Sequence, residues 1–354
     1  MTRNLIDFID ITPEEFEELY ALFEKIMRSP GDFIDCCRGK VSANLFYEPS
    51  TRTNLSFQTA MLRLGGSVIG FSDPGSSSVS KGESLKDTIA MMSNYADAIV
   101  IRNPQEGAAR AASLYSRVPV INAGDGGHLH PTQTLADMST IRMHLGRFDG
   151  LNIGLCGDLK NGRTVHSLIK AFSRYPEIRF YLISPRELQI PTYVRRFMDA
   201  HKQKYIETTS LDATIDHLDV LYMTRIQRER FTSESEYNKH KSSYILKRSK
   251  LSRARENMLI LHPLPRVDEI HVDVDDDPRA LYFAQARYGM YMRMALLATM
   301  LKHPARDPAP VSIGGCRCEN PRCITQTERY LPPLTHSSDG ITYCSYCDKE
   351  IPHA

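Results

Sequence analysis

The sequence predicts an α/β protein with two tandem parallel-sheet domains, a cleft between them, and a small cysteine-rich module at the carboxyl end. Short β-rich runs alternate with amphipathic helical stretches along most of the chain, as in parallel sheets covered by helices. The 354 residues exceed what one small core accommodates. Five of the eight cysteines fall within residues 316–354, which indicates a local metal site in a cytoplasmic protein.

The composition is that of an ordinary soluble protein, with a formal net charge of +2. Nothing in this balance calls for nucleic acid or an anionic membrane as the main partner. Charged residues near the start, such as Arg3 and Asp7, argue against a signal peptide. The longest apolar helical run, Tyr288–Leu301, is interrupted by Arg293 and is too short to span a bilayer.

The first alternating series opens with a helix at Pro13, since Thr12 and Glu15 form a capping box. Strands are predicted at Val41–Phe46, Ser67–Phe71, Ala98–Arg102 and Pro119–Asn122. Helices are predicted at Leu55–Leu64, Ser84–Tyr95, Ala108–Tyr115 and Gln133–Gly146. On the first helix after the first strand, we expect Leu55, Phe57, Met61, Leu62 and Leu64 to share the apolar side.

The second series has strands predicted at Asn152–Cys156, Arg179–Ile183, Val220–Met223 and Met258–Leu261. Its helices are predicted at Val165–Phe172, Thr192–His201 and Leu211–His217, and a last helix at Pro278–Lys302. The predicted domains are 1–146 with a returning helix 285–303, then 147–284, a linker 304–315 and the module 316–354. The linker is rich in proline and glycine.

The stretch Phe46–Phe57 is the first candidate site. A strand-like run stops at Pro49, a cluster of hydroxyl side chains follows, and a helical pattern then begins. A helix start offers unpaired backbone N–H groups and the positive end of its dipole, so with Arg52 it suits a phosphate. The local chemistry alone fits equally well a capping hydroxyl beside a solvated arginine.

Other polar clusters follow other predicted strands, at the strand ends where open α/β sheets bind ligands. They are Arg102, Gly124–Gln133, Asp158–Arg163, Thr224–Arg230 and His262–Arg266. One arginine at a strand end is commonly a surface group. Together with Ser50–Thr53 after the first strand, these make six clusters at equivalent places, which predict a common site.

Seven motifs in order resemble the carbamoyltransferase family, and within it the aspartate carbamoyltransferase catalytic chains, from about Leu5 to Leu301. They begin at Phe46 (FYEPSTRT), Lys81 (KGES), Arg102 (RNPQEG), His130 (HPTQ), Gly157 (GDLKNGRT), Tyr222 (YMTRIQ) and His262 (HPLPR). The resemblance implies transfer of a carbamoyl group from carbamoyl phosphate to the aspartate amine in pyrimidine (UMP) synthesis. Residues 1–146 would then bind carbamoyl phosphate and 147–284 aspartate.

The resemblance implies these roles for carbamoyl phosphate. Ser50, Thr51, Arg52 and Thr53 would cradle the phosphate. Arg102, His130 and Thr53 would bond the carbonyl oxygen, while Gln133 and the backbone carbonyls of Leu264 and Pro265 would hold the NH2 group. Catalysis would need no cofactor, because positioning and electrostatic stabilisation of the leaving phosphate suffice.

Aspartate needs two carboxylates bound, and guanidinium forks match carboxylates bidentately. The resemblance assigns this task to Arg163 and Arg225, with Gln227 assisting. A serine-rich loop would supply Ser78, or Ser77 in its place, and Lys81 to the site of a neighbouring subunit. The active form would be a homotrimer with shared sites. Whether trimers associate further stays open.

The nearest alternative within the family is an ornithine acceptor. Ornithine carbamoyltransferases have His-Cys-Leu-Pro where this chain has His262-Pro263-Leu264-Pro265, and they lack the Met223-Thr224-Arg225 pattern. An arginine facing the cationic ornithine side chain would repel it, so aspartate is favoured. A non-catalytic scaffold of enzyme-like fold is the alternative of another class.

In the tail, Cys318-x4-Cys323 and Cys344-x2-Cys347 have the spacing of a structural zinc site. Cys316 is an alternative to Cys318 as the first ligand. The module resembles the zinc domain of aspartate carbamoyltransferase regulatory chains, which docks subunits. The nucleotide-binding domain that normally precedes it has no room here, so ATP or CTP regulation through this chain is not expected. Acidic residues slightly outnumber basic ones, which argues against nucleic acid.

Overall fold

The computed structural model describes residues 4–76, 78–226, 244–304, 306–308, 314–338 and 340–352. The chain divides into two compact units, Met1–Leu135 with Gly289–Ala354, and Ala136–Tyr288. Each unit contains one parallel sheet. The α/β class with two parallel sheets is therefore confirmed.

The first unit has a four-stranded sheet in the order β2-β1-β3-β4, parallel throughout. The strands are β1 (Val41–Phe46), β2 (Ser67–Phe71), β3 (Ala98–Asn103) and β4 (Val120–Asp125). The helices are α1 (Pro13–Arg28), α2 (Thr51–Arg63), α3 (Leu85–Tyr95) and α4 (Ala108–Ser113). The chain goes from β1 outward to β2 at one edge and then returns to β3 on the other side of β1. The strand order therefore reverses between β1 and β3.

Local sequence signals account for the helix starts in this unit. Thr12 accepts a hydrogen bond from the Glu15 N–H and the Glu15 side chain accepts one in return, so the predicted capping box is present. Helix α2 begins at Thr51, four residues before the predicted start, which places the hydroxyl cluster in its first turn. Leu55 and Leu62 were expected on the apolar side, and this is wrong: they are 53% and 61% exposed.

The second unit has a five-stranded parallel sheet in the order β7-β6-β5-β8-β9. Its strands are β5 (Asn152–Cys156), β6 (Arg179–Ile183), β7 (Lys204–Thr208), β8 (Val220–Met223) and β9 (Leu259–Leu261). Helices α6 (Arg163–Phe172) and α7 (Thr192–Ala200) lie between strands. The sequence missed β7, an edge strand with mostly exposed side chains. The predicted helix Leu211–His217 is wrong, because only Ile215–His217 forms a 3-10 turn.

Two longer helices complete these units, α5 (Pro131–Leu145) and α8 (Tyr282–Met300), and both were predicted to within a few residues. The buried residues of α8 include Met292, Met294 and Leu296. Within the described ranges, no helix has the length and apolar character needed to cross a membrane.

The cysteine module consists of a 3-10 turn, Ile324–Gln326, and an antiparallel hairpin of β10 (Thr335–Ser338) and β11 (Ile341–Cys344). Its apolar side chains do not form a separate core. Ile324, Leu331, Tyr346 and Ile351 belong to the same buried cluster as residues of β3 and α4 in the first unit. A module this small is thus stabilised by sharing a neighbour's core.

Candidate active site

The carboxyl ends of β1 and β3 form the switch point of the first sheet, where open α/β folds bind ligands. Phe46 and Arg102 are register partners on these strands, and the Tyr47 N–H donates to the Arg102 carbonyl at 2.8 Å. The loop after β1 leads directly into α2. The phosphate-binding candidates and Arg102 therefore leave the sheet side by side.

Helix α2 starts at this switch point, with Ser50 as its N-cap. The Ser50 side chain makes no capping bond, and the first intrahelical bond runs from the Asn54 N–H to the Ser50 carbonyl at 3.0 Å. Thr51 and Arg52 are exposed and Thr53 is half-buried. This first turn presents backbone N–H groups, hydroxyls and a guanidinium, a combination suited to an anion.

The first turn of α2 is anchored to β1 by a buried amide pair. The Asn44 Nδ2 donates to the Asn54 Oδ1 at 3.1 Å, and the Gln58 Nε2 donates to the same oxygen at 3.0 Å. Farther along, Arg293 donates to the Ser56 hydroxyl at 3.0 Å and lies over the Phe57 ring. These contacts fix the direction in which the helix start points.

Arg102 lies one residue before the end of β3, with its guanidinium largely buried. Its Nη2 donates to the Glu48 Oε1 at 2.8 Å, and the Glu48 side chain comes from the loop after β1. The Arg102 Nη1 also donates to the Ala123 carbonyl at 3.5 Å, and a guanidinium held at two points keeps its five N–H donors in a fixed plane. Arg102 can therefore donate to an oxygen beyond the strand end.

The loop after β4 carries His130 and is organised by Asp125. The buried Asp125 carboxylate accepts from the Leu129 N–H at 3.0 Å and from the Gly107 N–H at 2.7 Å. His130 is buried and immediately precedes α5, and Gln133 lies half-buried in its first turn. Asp125 thus ties the loop that carries His130 to the loop that follows Arg102.

Lys81 and Ser78 lie together in a short 3-10 turn, Ser78–Lys81, between β2 and α3. Both side chains are exposed, and β2 is an edge strand of the sheet. The alternative serine, Ser77, lies outside the described residues. This loop therefore extends from an edge strand of the sheet and not from the switch point.

The second sheet has its own switch point, between β5 and β8. The Thr224 N–H and hydroxyl both donate to the Cys156 carbonyl, at 2.8 and 3.0 Å. Gly157 has a φ of +121°, and a Cβ there would lie 2.3 Å from the Thr224 carbonyl oxygen. Only glycine permits this close approach, so Gly157 brings the loops after β5 and β8 together.

The two arginines predicted to hold carboxylates follow these strands. Arg163 is the first residue of α6, after a turn in which the buried Asp158 carboxylate accepts from the Asn161 N–H at 3.0 Å. Arg225 comes directly after Thr224 and is half-buried. The structure therefore places both at one switch point. The assisting residue, Gln227, lies outside the described residues.

The loop after β9 is shaped by a histidine and a glutamate. The Leu264 N–H donates to the His262 Nδ1 at 2.7 Å, so the ring proton lies on Nε2 and is donated to the Glu269 Oε1 at 2.8 Å. Burial alone would raise the pKa of Glu269, but hydrogen bonds from His262 and the backbone outweigh it and lower that pKa. Leu264 has a φ of +55°, uncommon for a non-glycine residue. The network thus holds the Leu264-Pro265 carbonyls in one orientation.

Comparison with known proteins decides the family. A model of the aspartate/ornithine carbamoyltransferase carbamoyl-P binding domain matches residues 3–143, and one of the Asp/Orn binding domain matches residues 149–300. The chain is 58% identical over 299 residues to an aspartate carbamoyltransferase catalytic subunit of Clostridium kluyveri, covering 84% of this chain and 98% of that protein. The chain belongs to the aspartate/ornithine carbamoyltransferase family.

Solved structures of this family share the fold. The catalytic subunit of aspartate transcarbamoylase from M. jannaschii is 50% identical, with a TM-score of 0.80 over 85% of this chain and 98% of that chain. An aspartate transcarbamoylase from Trypanosoma cruzi, solved with N-(phosphonacetyl)-L-aspartic acid, is 39% identical, with a TM-score of 0.79 over 84% of this chain and 95% of that chain.

The cysteine module lies beyond the two family matches and contains a second candidate site. The Sγ atoms of four buried cysteines, Cys318, Cys323, Cys344 and Cys347, lie within 4.8 Å of one another, in an arrangement that can hold a metal ion. Two of the Sγ distances are 3.6 Å (Cys318–Cys347) and 3.9 Å (Cys323–Cys344). Sulfurs bound tetrahedrally about 2.3 Å from one zinc ion would lie about 3.8 Å apart. Cys316 is exposed and outside the cluster, so Cys318 is the fourth member.

Sequence reasoning missed three buried acidic residues that organise these loops: Glu106, Asp125 and Glu269. Each sits inside or beside a recognised motif, but their partners are distant in the sequence or are backbone groups. Glu106, for example, accepts a hydrogen bond from Asn320, 214 residues away. None of the three lies within an apolar run, so the surrounding sequence pattern carries no sign that they are buried.

Proposed function

We infer that this chain transfers the carbamoyl group of carbamoyl phosphate to the amine of L-aspartate, which gives N-carbamoyl-L-aspartate and phosphate. This is an early step of pyrimidine synthesis. Relatives that are 58% identical and named as aspartate carbamoyltransferase catalytic subunits support the reaction. The structural observation that carries it is the placement of Arg102 and Arg225 at the switch points of the two sheets.

The phosphate of carbamoyl phosphate is bound at the start of α2. Ser50, Thr51, Arg52 and Thr53 supply side-chain and backbone donors at the start of α2, and Ser78 adds a hydroxyl. As the C–O bond to phosphate breaks, negative charge grows on the leaving group. Arg52 stabilises that charge, so its contribution is larger in the transition state than in the ground state.

The carbamoyl group is held at both of its ends. Arg102, His130 and Thr53 donate to its carbonyl oxygen, which gains negative charge as the amine attacks. Gln133 and the carbonyls of Leu264 and Pro265 accept from its NH2 group. This set leaves the carbonyl carbon open on one face for direct attack, and no covalent enzyme intermediate is needed.

Aspartate is held by its two carboxylates. Arg163 and Arg225 bind them bidentately, Gln227 assists, and Lys81 contributes a third positive charge. An ornithine acceptor is the competing proposal within the family. Arg225 argues against it, because a guanidinium beside the cationic ornithine side chain would repel that side chain.

Product analysis with the purified full chain tests the acceptor. We expect carbamoyl aspartate with aspartate, and no citrulline with ornithine, at equal concentrations of carbamoyl phosphate. Citrulline alone would overturn the acceptor, and no product from either amine would favour a non-catalytic scaffold.

The active form is a homotrimer in which Ser78 and Lys81 complete the site of a neighbouring subunit. The exposed position of both residues on a loop at the sheet edge supports this.

Mixing two inactive variants tests the shared site. Arg52→Ala and Lys81→Ala chains, unfolded together and refolded as a mixture, should regain activity while each alone does not. In a trimer formed at random from equal amounts, a site is intact when one subunit supplies Arg52 and its neighbour supplies Lys81. Each condition is met half of the time, so about a quarter of the wild-type activity is expected. A mixture as inactive as its parents, or a fully active monomer by light scattering, would contradict the homotrimer.

The cysteine module binds one structural zinc ion and resembles the zinc domain of aspartate carbamoyltransferase regulatory chains. The ion would crosslink the two cysteine pairs, and the Asn320 amide and the Thr325 hydroxyl donate to two of the sulfurs, at 3.4 and 3.2 Å. We place the protein in the cytoplasm, where thiols stay reduced, because all eight cysteines are free.

A further inference from the structure

The cysteine module contacts the rest of the first unit at three loops, and each loop carries or adjoins a residue of the proposed active site. We propose that this module is a brace that positions the loops of Lys81, Arg102 and His130, and so sets the catalytic rate from outside the substrate site. The inference rests on the proposed function and assigns positioning roles to Glu106, Glu328 and Asp348, none of which touches substrate.

The first contact holds the loop after Arg102. Glu106 forms a parallel bridge with the module, because its N–H donates to the Arg322 carbonyl and its carbonyl accepts from the Ile324 N–H, both at 2.9 Å. Its buried carboxylate also accepts from the Asn320 Nδ2 at 2.7 Å. The loop is therefore paired with the module through backbone and side chain together.

The next residue leaves no space at this contact. Gly107 has a φ of +85°, and a Cβ there would lie 2.6 Å from the Cβ of Tyr346. The module backbone thus lies directly against the turn that begins α4. A shift of the module would be transmitted to this turn, because close-packed atoms are nearly incompressible.

The second contact holds the loop before His130. His128 is buried between two carboxylates, with its Nδ1 3.1 Å from the Asp125 Oδ2 and its Nε2 3.1 Å from the Asp348 Oδ2. Asp125 is the last residue of β4, whereas Asp348 belongs to the cysteine module. His130 is two residues farther along, so the module fixes the start of its loop.

The third contact holds the base of the loop that carries Lys81. At the start of α3, the Leu85 N–H donates to the Glu328 Oε1 at 3.0 Å and the Lys86 N–H donates to the Tyr330 hydroxyl at 2.8 Å. These are backbone donors of a first helical turn, which need outside partners. The module supplies those partners four residues after Lys81.

The three contacts are held together because the module shares its apolar core with β3 and α4. Ile324 and Tyr346 lie in the same buried cluster as Ile101 and Ala108. Loops that carry catalytic groups must hold them to within a fraction of an ångström, and a displacement of about 1 Å can cost about a hundredfold in rate. A brace at three loops is suited to that requirement.

Variants in the module test the brace without touching the substrate site. Asp348→Gly removes the partner of His128 at a residue with a φ of +56°, which glycine accepts, and Asp348→Asn restores an acceptor of the same shape. Glu328→Ala removes the partner of the Leu85 N–H, and Glu328→Gln restores it. His336→Gln is the matched control, because this exposed histidine contacts only its own module, at Tyr343 and Ser345, in the described contacts.

Three measurements are made on each full-length variant: kcat and KM for both substrates, zinc per chain, and hydrogen exchange of peptides covering 78–88 and 125–134. We expect Asp348→Gly and Glu328→Ala to lose about tenfold or more in kcat with zinc content unchanged. Exchange should rise in the matching peptides, and the Asn and Gln variants should recover most of the rate. His336→Gln should match the wild type.

Two results would overturn the proposed brace. One is an unchanged kcat in both Asp348→Gly and Glu328→Ala, and the other is a lower melting temperature with unaltered hydrogen exchange of the loop peptides. Failure of the proposed function is seen separately, as a wild-type chain that makes no carbamoyl aspartate. In that case the exchange of 78–88 and 125–134, and calorimetric binding of N-(phosphonacetyl)-L-aspartic acid, still decide whether the module positions these loops.

Discussion

Glu48 and Arg102 form an ion pair of 2.8 Å between the ends of two adjacent strands. Their strands, β1 and β3, flank the switch point of the first sheet, so the pair lies where a ligand is expected. Glu48 limits the rotation of the guanidinium without using all of its N–H donors. An arginine fixed in this way can stabilise charge that develops on a bound carbonyl oxygen.

Replacing Arg102 should therefore reduce the rate of the chemical step. Removal of one donor to a developing oxyanion typically costs about 10²–10³ in kcat, so we expect a loss of that size for Arg102→Gln. Arg102→Lys keeps the charge but loses the planar fork, and should lie between this variant and the wild type. Steady-state kinetics at saturating substrates measures the effect. A kcat for Arg102→Gln within about threefold of wild type would remove Arg102 from the transition state.

Replacing Arg225 should affect the acceptor and leave carbamoyl phosphate binding intact. We expect Arg225→Lys to raise the KM for aspartate about tenfold or more, because one ammonium cannot bond both carboxylate oxygens in plane. The KM for carbamoyl phosphate should stay within about twofold. Arg186→Lys serves as the control, since Arg186 is exposed in a 3-10 turn of the same unit. Equal rises in both KM values would point to a misfolded sheet instead of a lost contact.

Much of this geometry follows from the sequence, because the motifs sit at strand ends and parallel strands bring those ends together. The pattern predicted β1, β3, β5 and β8 well, since each is an almost fully buried and mostly apolar run. It missed β7, whose residues are mostly exposed at a sheet edge and so lack an apolar run.

Side-chain direction was harder to predict than element type. Leu55 and Leu62 fit a helical period but face outward, while the polar Asn54 faces the sheet and bonds Asn44. Hydrophobic period alone cannot distinguish a buried face of a helix from an exposed one. The contacts of the cysteine module were also hidden, because Glu106 and Asn320 are joined only by the fold.

The ion pairs of His128 predict a pH dependence of stability. Burial alone would lower the pKa of His128, but the charge of Asp125 and the hydrogen bonds to Asp125 and Asp348 outweigh it and raise this pKa from 6.5 to about 10. The folded state therefore keeps a proton that the unfolded state releases. The resulting stabilisation is complete below pH 6.5 and is lost as pH rises towards about 10.

Between these two values the free energy of unfolding should fall by about 1.4 kcal/mol per pH unit through this one group. His128→Gln removes that dependence, so the difference in urea midpoint between wild type and variant should shrink from pH 7 to pH 9. The exposed His336→Gln variant should follow the wild type at every pH. A constant difference between wild type and His128→Gln would show that His128 is not charged in the folded protein.

The four-cysteine cluster predicts which thiols hold zinc. We expect about one zinc per chain, consistent with a closed four-thiolate site. Cys318→Ser should lose it, while Cys316→Ser should keep it, because Cys316 lies two residues earlier, is exposed and is outside the cluster. Because the module shares a core with β3 and α4, metal loss should lower the melting temperature of the whole first unit. Elemental analysis of each purified chain measures the zinc content, and thermal scans before and after dialysis against a chelator measure the effect of metal loss. Zinc retained by Cys318→Ser and lost by Cys316→Ser would reverse the ligand assignment, and a wild type without zinc would exclude it.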